Sequence, residues 1–267
     1  MTTKQVCLVS TLHDSVGWSP EPLERTTEIL DRIYGGKITV VTKMTQTRVL
    51  QTLSKFGWTL VKPFSNVGMA QITDSRRRVL KAALENGFDY IHLVDMDRIL
   101  HWASTYPKEL EKVVNSIPGR EFIILGRTRR AMETHPKNQV DTETLANRVF
   151  NLILGVDMDI TAASRGISRS AGEVILRFSR GRFFDSDSEW PIILHCNNFH
   201  LDYMETEGLE WETRLKREHM VASDRILDVK EFYESNPESW VYRLMLAHRI
   251  SRVAYKTYHS LKQGYDS

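Results

Sequence analysis

The chain has 267 residues, of which 41% are hydrophobic and 26% are charged, with 36 Lys and Arg residues against 34 Asp and Glu residues. This composition is typical of a globular protein and excludes collagen, a coiled coil and a disordered chain. The formal net charge of +2 is too small for a polybasic protein, so any anion site must come from a local cluster of charges. We therefore expect no nucleic-acid partner.

The cysteines and the apolar runs bear on localisation. Cys7 and Cys196 lie far apart and form no CxxC pattern, which favours a reduced, cytoplasmic chain. No basic region with a small-residue cleavage site opens the sequence, and no stretch approaches ~18 apolar residues. The sequence predicts a protein that is neither exported nor membrane-spanning.

The first half of the chain alternates short β-branched runs with longer amphipathic runs, as expected for parallel strands covered by helices. The predicted strands are Gln5–Ser10, Ile38–Val41, Thr59–Lys62, Tyr90–Val94 and Glu121–Leu125. The predicted helices are Pro22–Tyr34, Gln46–Ser54, Ser75–Glu85 and Thr105–Ser116. For the last of these, Thr105 is the predicted N-cap and Pro107 lies in the first turn.

The pattern weakens after residue 126. The polar, Arg-rich stretch Arg127–Val140 is interpreted as a long loop, and Ser170 with Glu173 forms a capping-box pattern before an apolar run. The other predicted elements are a helix over Thr142–Leu154 with its apolar face at Leu145, Val149, Leu152 and Ile153, a short helix over Ser188–Cys196, an extended segment over Tyr203–Glu212, and a helical tail from Pro237. We divide the chain into a nucleotide-binding half (1–126), a second half on the same sheet (127–225) and a helical extension (226–267).

Two acidic residues separated by one position, Asp95 and Asp97, end an apolar strand, and ligands of open α/β sheets bind at strand ends. Two such carboxylates can converge on a hard cation, Mg²⁺ or Mn²⁺, and its phosphates. Strand-end capping is the alternative interpretation. Asp157 and Asp159 repeat the spacing, but they follow Gly155 in a polar turn and are interpreted as ordinary surface residues.

Three arginines, Arg76 to Arg78, lie at the predicted N-terminus of the helix before this strand. Basic residues are unfavourable at that end of the helix dipole, so their placement suggests that they have a function. Backbone N–H groups and one guanidinium would together bind a diphosphate. An exposed basic turn is the alternative.

The order of these and later motifs resembles that of the GT-A nucleotide-sugar glycosyltransferases, over about residues 5–212. The resemblance is to the branch with dolichyl-phosphate mannosyltransferases and the glucosyl-3-phosphoglycerate and mannosylglycerate synthases. The motifs are Val6–Thr11, Asn66-Val67-Gly68, Gly87–Asp97, Ile123–Arg129, Asn147–Asn151, Asp159–Arg169 and Asp187–Trp190. The resemblance implies an α/β fold, a Rossmann-like mixed sheet flanked by helices, here with a C-terminal helical extension.

The resemblance implies a metal-dependent hexosyltransferase that uses a UDP- or GDP-sugar and a small hydroxyl acceptor. Asp97 would be the direct ligand of Mg²⁺ or Mn²⁺, Asp95 would contact the metal or the ribose, and His219 would be a third metal ligand. Nucleotide-sugar contacts would come from Thr11, Asp14, Gly68, Arg76 and Asp95. Asp187 and Glu189 would be the acceptor-side acids, one of them a base if the enzyme inverts. His195 and His200 are weaker metal candidates.

The sequence departs from the family at the second strand, where Thr42-Lys43 replaces the usual acidic pair. The nucleotide base and the anomeric outcome therefore stay open, and a sugar-nucleotide-binding protein without turnover is an alternative. The first strand also ends in Ser10–Asp14 in place of the usual Pro, aromatic, Asn, Glu run.

Two acceptors are considered. A small glycerate-type carboxylate would be bound by Arg127, Arg129 and Arg165, whereas a polyprenyl phosphate would be reached by the tail from a membrane surface. The tail, Trp240–Lys262, carries five Lys and Arg residues and no acid, with apolar residues at helical spacing. We favour a terminal helix packed on the domain over membrane association.

Overall fold

The computed structural model describes residues 5–12, 21–43, 45–62, 71–211 and 229–263. Within these residues, seven strands form one mixed sheet in the order β3-β2-β1-β4-β6-β5-β7. The strands are β1 (Val6–Thr11), β2 (Gly36–Val40), β3 (Thr59–Val61), β4 (Tyr90–Leu93), β5 (Phe122–Arg127), β6 (Ser164–Ser168) and β7 (Leu201–Thr206). Strand β6 runs antiparallel to both its neighbours, β4 and β5, and the other pairs in the sheet are parallel.

Helices cover both faces of the sheet. They are α1 (Glu21–Ile33), α2 (Thr47–Lys55), α3 (Ile72–Glu85), α4 (Met96–Thr105), α5 (Pro107–Ser116), α6 (Arg129–Glu133), α7 (Lys137–Leu154), α8 (Arg169–Phe178), α9 (Ser186–Cys196), α10 (Val229–Ser235) and α11 (Pro237–Gln263). The apolar sequence of β1 shows why two layers form, because Val6 and Leu8 point into one core and Cys7 and Val9 into the other. This arrangement confirms the predicted mixed α/β sheet flanked by helices.

The five strands predicted in the first half are confirmed, but a helix was missed between the fourth and fifth. Helix α4 begins directly after Asp95, and Thr105, the predicted N-cap of the next helix, is the last residue of α4. Helix α5 begins at Pro107 after Tyr106, which makes no side-chain capping bond. The fixed φ of proline at the first helical position starts this helix without a cap.

The predicted loop over residues 127–140 is wrong, because α6 and the first turn of α7 lie there. Thr128 caps α6, accepting a hydrogen bond from Ala131 N at its Oγ1 (3.1 Å). The predicted apolar face of α7 is also wrong in part, since Leu145 and Leu152 are 60% and 70% exposed. Polar residues occupy much of the buried face instead.

Capping of α8 lies two residues before the predicted position. Ser168, not Ser170, is the N-cap, and its Oγ accepts from Ala171 N (3.3 Å). Ser170 lies inside the first turn of the helix. Strand β6, which leads into this cap, was not predicted, because its sequence Ser-Arg-Gly-Ile-Ser lacks the apolar pattern of a strand.

The helical extension packs on the domain through α11, which contacts α7 and α9. Its buried stripe consists of Leu246, Ala247, Ile250 and Ala254. Arg249 donates to both carboxylate oxygens of Asp185 (2.6 and 2.8 Å), and Ser188 Oγ donates to Ile250 O (2.9 Å). No helix within the described ranges has the length and apolar character needed to cross a membrane.

Candidate active site

A cavity of about 170 Å³ opens at the edge of the sheet where β4 and β5 end. Because β6 is antiparallel, the chain that enters it lies at this same edge and contributes Thr161, Ala162 and Ala163 to the wall. Helix α7 lines the cavity with Gln139, Thr142, Glu143 and Ala146, and α11 lines it with Arg243, Leu246, Ala247 and Ile250. A cleft at the carboxyl ends of strands is where open α/β sheets bind ligands.

The predicted acidic pair reaches this cavity. Asp95 stands at the N-cap position of α4 but makes no capping bond, and it accepts instead from Thr11 Oγ1 (3.1 Å). Asp97, in the first turn of α4, accepts from Arg98 N (2.9 Å). Both carboxylates are half-buried and line the cavity, so strand-end capping does not account for Asp95.

Arg76 lies behind the pair, fully buried. Its Nη1 donates to Asp187 Oδ1 (2.6 Å) and Ser186 Oγ (2.9 Å), and its Nη2 contacts Asp95 Oδ2 at 3.3 Å. Burial lowers the pKa of Arg76, but Asp95 and Asp187 outweigh it and raise that pKa. The guanidinium is therefore a permanent cation that joins two carboxylates, and it does not itself form the cavity wall.

The two predicted acceptor-side acids have different surroundings. Asp187 lines the cavity, and its Oδ2 has no hydrogen-bond partner among the described residues. Burial raises the pKa of Asp187 to about 6, against the lowering effect of Arg76 and Arg165. Glu189 is buried away from the cavity, where it accepts from the backbone N–H groups of Arg180 and Gly181 (both 2.9 Å). Glu189 therefore holds a turn.

A second charged cluster closes the end of β5. Arg127 donates to Asp159 through Nε (2.8 Å) and Nη2 (3.0 Å), and it pairs with Glu143 at 2.7 Å. Burial raises the pKa of Asp159, but the Arg127 guanidinium outweighs it and holds that pKa below its usual range. The interpretation of Asp159 as a surface residue is therefore wrong, because the carboxylate is buried.

The structure does not bring the three predicted acceptor arginines together. Arg127 is bound by two carboxylates, whereas Arg165 is buried and donates to the carbonyl oxygens of Ser164 (2.7 Å) and Ile160. Arg129 is 92% exposed and pairs with Glu133 on its own helix (2.8 Å). Only Arg127 lines the cavity, and its charge is already balanced.

Solved structures resemble this architecture along most of the chain. The crystal structure of glucosyl-3-phosphoglycerate synthase from Mycobacterium tuberculosis has a TM-score of 0.54 and 14% identity, and the match covers 91% of this chain and 80% of that chain. The chain has the GT-A fold. The complex of that enzyme with Mn²⁺, UDP-glucose and phosphoglyceric acid gives a TM-score of 0.53 at 13% identity, over 91% of this chain and 79% of that one. Its complex with UDP gives 0.53 at 12% identity, over 91% and 80%.

No protein-family model matches the sequence, and a search of curated proteins finds no match. At 12–14% identity, the structural similarity establishes the GT-A fold and leaves activity to be argued from the site.

Three predicted site residues, Asp14, Gly68 and His219, lie outside the described residues. His195 and His200 are exposed and do not line the cavity. In the described part of the chain, no three His, Cys, Asp or Glu side chains are placed to hold a metal together. Asp95 and Asp97 fit a divalent cation as two hard oxygen donors, with the remaining positions left to phosphate and water.

Several residues of the cavity wall were missed in the sequence. Glu143 and Gln139 come from α7, and Arg243 comes from α11. The one available signal was the helical spacing of residues 243, 246, 247 and 250, which marks a face of the tail helix. Nothing in the local sequence shows that this face meets the acidic pair.

Proposed function

We propose that the chain is a glycosyltransferase that moves a hexose from a nucleoside-diphosphate sugar to a small hydroxyl acceptor. The observation that carries the proposal is that Asp95 and Asp97 share one cavity with Asp187, at the strand ends of a GT-A fold. A donor site and a proton acceptor are thus adjacent. The M. tuberculosis structures support the proposal, because they contain UDP, UDP-glucose, Mn²⁺ and phosphoglyceric acid on the same fold.

On the donor side, Asp95 and Asp97 would hold Mg²⁺ or Mn²⁺ against the diphosphate of a UDP- or GDP-sugar. Such a cation supplies charge that stabilises the departing nucleoside diphosphate. Arg76 fixes the orientation of Asp95 from behind, and Thr11 fixes its other side. The nucleoside would lie along the end of β1, and the predicted contacts Asp14 and Gly68 follow β1 and precede α3 in the sequence.

On the acceptor side, Asp187 would take the proton of the attacking hydroxyl if the enzyme inverts. Its carboxylate is held through Oδ1 by Arg76, so Oδ2 can face the acceptor. A carboxylate whose pKa is raised to about 6 is a better general base than an ordinary one and is still ionised at neutral pH. Glu189 would support this arrangement by holding the turn at residues 179–181.

Calorimetric titration with UDP, GDP and their sugars, with and without Mn²⁺, tests the donor site. We expect one nucleotide to bind only with the metal, and binding of none of them would contradict the proposal. Mass spectrometry of reactions with a panel of acceptors then tests turnover. Metal-dependent binding without transfer or hydrolysis would show a sugar-nucleotide-binding protein instead of an enzyme.

A second candidate is transfer to a lipid phosphate at a membrane surface. It is favoured by α11, whose exposed residues include Val241, Leu244 and Tyr255 beside Arg252 and Lys256. Deleting α11 would also remove a cavity wall, so point variants are needed. Under this candidate, Leu244→Ser with Tyr255→Ser abolishes cosedimentation with phosphatidylserine vesicles, and Leu145→Ser on α7 does not. Absence of cosedimentation by the unaltered protein would exclude it.

A further inference from the structure

Four charged side chains meet at the end of the cavity where β5 ends beside α7 and α11. Glu143 lies between two arginines, with its Oε2 2.7 Å from Arg127 and its Oε1 3.3 Å from Arg243. Asp159 balances Arg127 from the other side. Two cations and two carboxylates therefore cancel at this end of the cavity.

The arginines of this group are committed to internal partners. Arg127 makes its two bonds to Asp159 while fully buried, and Arg243 donates to Gln139 Oε1 (2.9 Å) as well as to Glu143. A bound carboxylate or phosphate would have to displace one of these carboxylates, leaving it buried and unpaired. Such an exchange is strongly unfavourable, because a buried charge without its partner is costly. The one other arginine in the described wall, Arg98, donates to the carbonyl of Glu210 (2.6 Å).

The remaining wall suits hydroxyl groups. Glu143 and Gln139 present carboxylate and amide groups that accept from and donate to hydroxyls. The rings of Trp211 and His135 lie edge to face at 5.6 Å beside Leu209, and they give the cavity an apolar side. Polar and apolar groups thus share this wall, and the polar groups can fix the orientation of a small ligand while the rings and aliphatic side chains pack against it.

We propose that this end of the cavity is an acceptor subsite for a neutral polyhydroxy compound, a sugar or polyol, and that it excludes carboxylate and phosphate acceptors. Glu143 accepts a hydroxyl hydrogen bond from the ligand, and Gln139 supplies a second polar contact. The name acceptor subsite rests on the proposed glycosyltransferase function, but binding of a neutral ligand to the subsite can be tested without turnover.

The test is saturation-transfer NMR with two matched pairs, glucose against glucose 6-phosphate and glycerol against glycerol 3-phosphate, in the absence of nucleotide. We expect the unaltered protein to bind the neutral member of each pair at least tenfold more tightly. In Glu143→Gln, two arginines lose a shared carboxylate, so we expect neutral ligands to weaken at least tenfold and the phosphates to gain binding. A purely structural role for Glu143 would not reverse the preference.

Asp141→Asn is the matched control, because Asp141 lies two residues before Glu143 on α7, about half a turn away, and pairs with exposed Lys137. It should behave like the unaltered protein. If Glu143→Gln does not fold, Gln139→Leu replaces it, with the expectation that neutral ligands are lost and no phosphate is gained.

Tighter binding of the phosphate member, or no binding of either member, overturns the subsite. Failure of the proposed function has a different signature, namely no metal-dependent nucleotide binding alongside intact polyol binding. Under turnover conditions, transfer to glycerate or phosphoglycerate in preference to a neutral acceptor also overturns the subsite.

Discussion

At one edge of this sheet, the ends of β4 and β5 each lie beside a buried arginine that is held between two carboxylates, yet the two clusters differ in how tightly they close. At β5, Arg127 holds Asp159 through contacts of 2.8 and 3.0 Å. At β4, Arg76 approaches Asp95 only to 3.3 Å, and the Asp95 side chain is 27% exposed. The β5 cluster is a closed support, whereas the β4 cluster leaves carboxylate oxygens open to the cavity.

The pKa directions separate the clusters in the same way. Burial raises the pKa of Asp187 to about 6, because Arg76 is its sole hydrogen-bonded side-chain partner among the described residues and is shared with Asp95. The pKa of Asp159 is lowered although that carboxylate is buried as well, since Arg127 and Asn147 both donate to it. A buried carboxylate with several hydrogen-bond donors is thus held in its ionised form and supports the fold. A buried carboxylate with a single, shared donor keeps an oxygen atom open to a ligand.

The largest expected effect comes from opening the closed cluster. Arg127→Met leaves the buried Asp159 without its cation and removes one of the two arginines beside Glu143, and we expect a loss of about 3–5 kcal/mol in the free energy of unfolding. Urea denaturation measures it. Arg129→Met is the control, since its exposed side chain should change that free energy by less than about 0.5 kcal/mol. Equal free energies of unfolding for the two variants would show that the β5 cluster does not support the fold.

The second prediction concerns the open cluster. Asp97→Asn should weaken Mn²⁺-dependent nucleotide binding at least ~100-fold, which is about 2.7 kcal/mol of binding free energy, with little change in unfolding. Calorimetry and thermal melting measure the two quantities. Asp157→Asn, at the exposed member of the second Asp-x-Asp pair, should change neither. Unaltered Mn²⁺-dependent affinity in Asp97→Asn would contradict the metal assignment.

The third prediction concerns His92, a buried residue of β4 that belongs to neither charged cluster. His92 is buried between Tyr34 and Ser164, and burial lowers its pKa from 6.5 to about 3. Below pH 6.5 the unfolded chain therefore binds a proton that the folded chain does not, so stability falls as the pH falls. We expect His92 to contribute a slope of up to about 1.4 kcal/mol per pH unit between pH 6 and 4.

Urea unfolding across this pH range measures the slope, and His92→Gln should lack the contribution while keeping a polar contact. Other groups titrate in the same range, so the difference between the two proteins is the relevant quantity. Parallel pH profiles for the unaltered protein and His92→Gln would show that His92 is not held neutral by the fold.

The smallest expected effect lies where α11 meets the loop before Asp187. Arg249→Gln removes the paired bonds to Asp185, and we expect a loss of about 1 kcal/mol in the free energy of unfolding. Thermal melting detects it against Arg252→Gln, whose side chain is exposed on the same helix. A greater loss for Arg252→Gln would place the anchor of α11 elsewhere.

The sequence allowed prediction of the parts of the fold that depend on local periodicity. Strands β1 to β5 have apolar runs bounded by turn residues, and each was found at its predicted place. Strand β6 was missed because its fit depends on tertiary packing. Gly166 admits Ile123 so closely that a Cβ there would lie 2.5 Å from that side chain. No local pattern encodes such an approach.

The site residues also fall into those that the sequence predicted and those that it did not. Asp95 and Asp187 lie in motifs at the boundaries of predicted elements, and both line the cavity. Glu143 and Arg243 were missed, because their pairing joins helices 100 residues apart. The buried face of α7 was also missed, because it carries polar residues and hydrophobic periodicity assigns polar residues to the solvent-exposed face.

The position of α11 in the chain has a consequence for synthesis on the ribosome. The sheet and α7 emerge first, so a nascent chain that ends before Pro237 has the acidic pair but lacks one wall of the cleft. Until α11 docks, Glu143 has lost one of its two cations and water can enter from that side. The cleft is thereby completed only after α11 has been synthesised, more than 100 residues after the acidic pair.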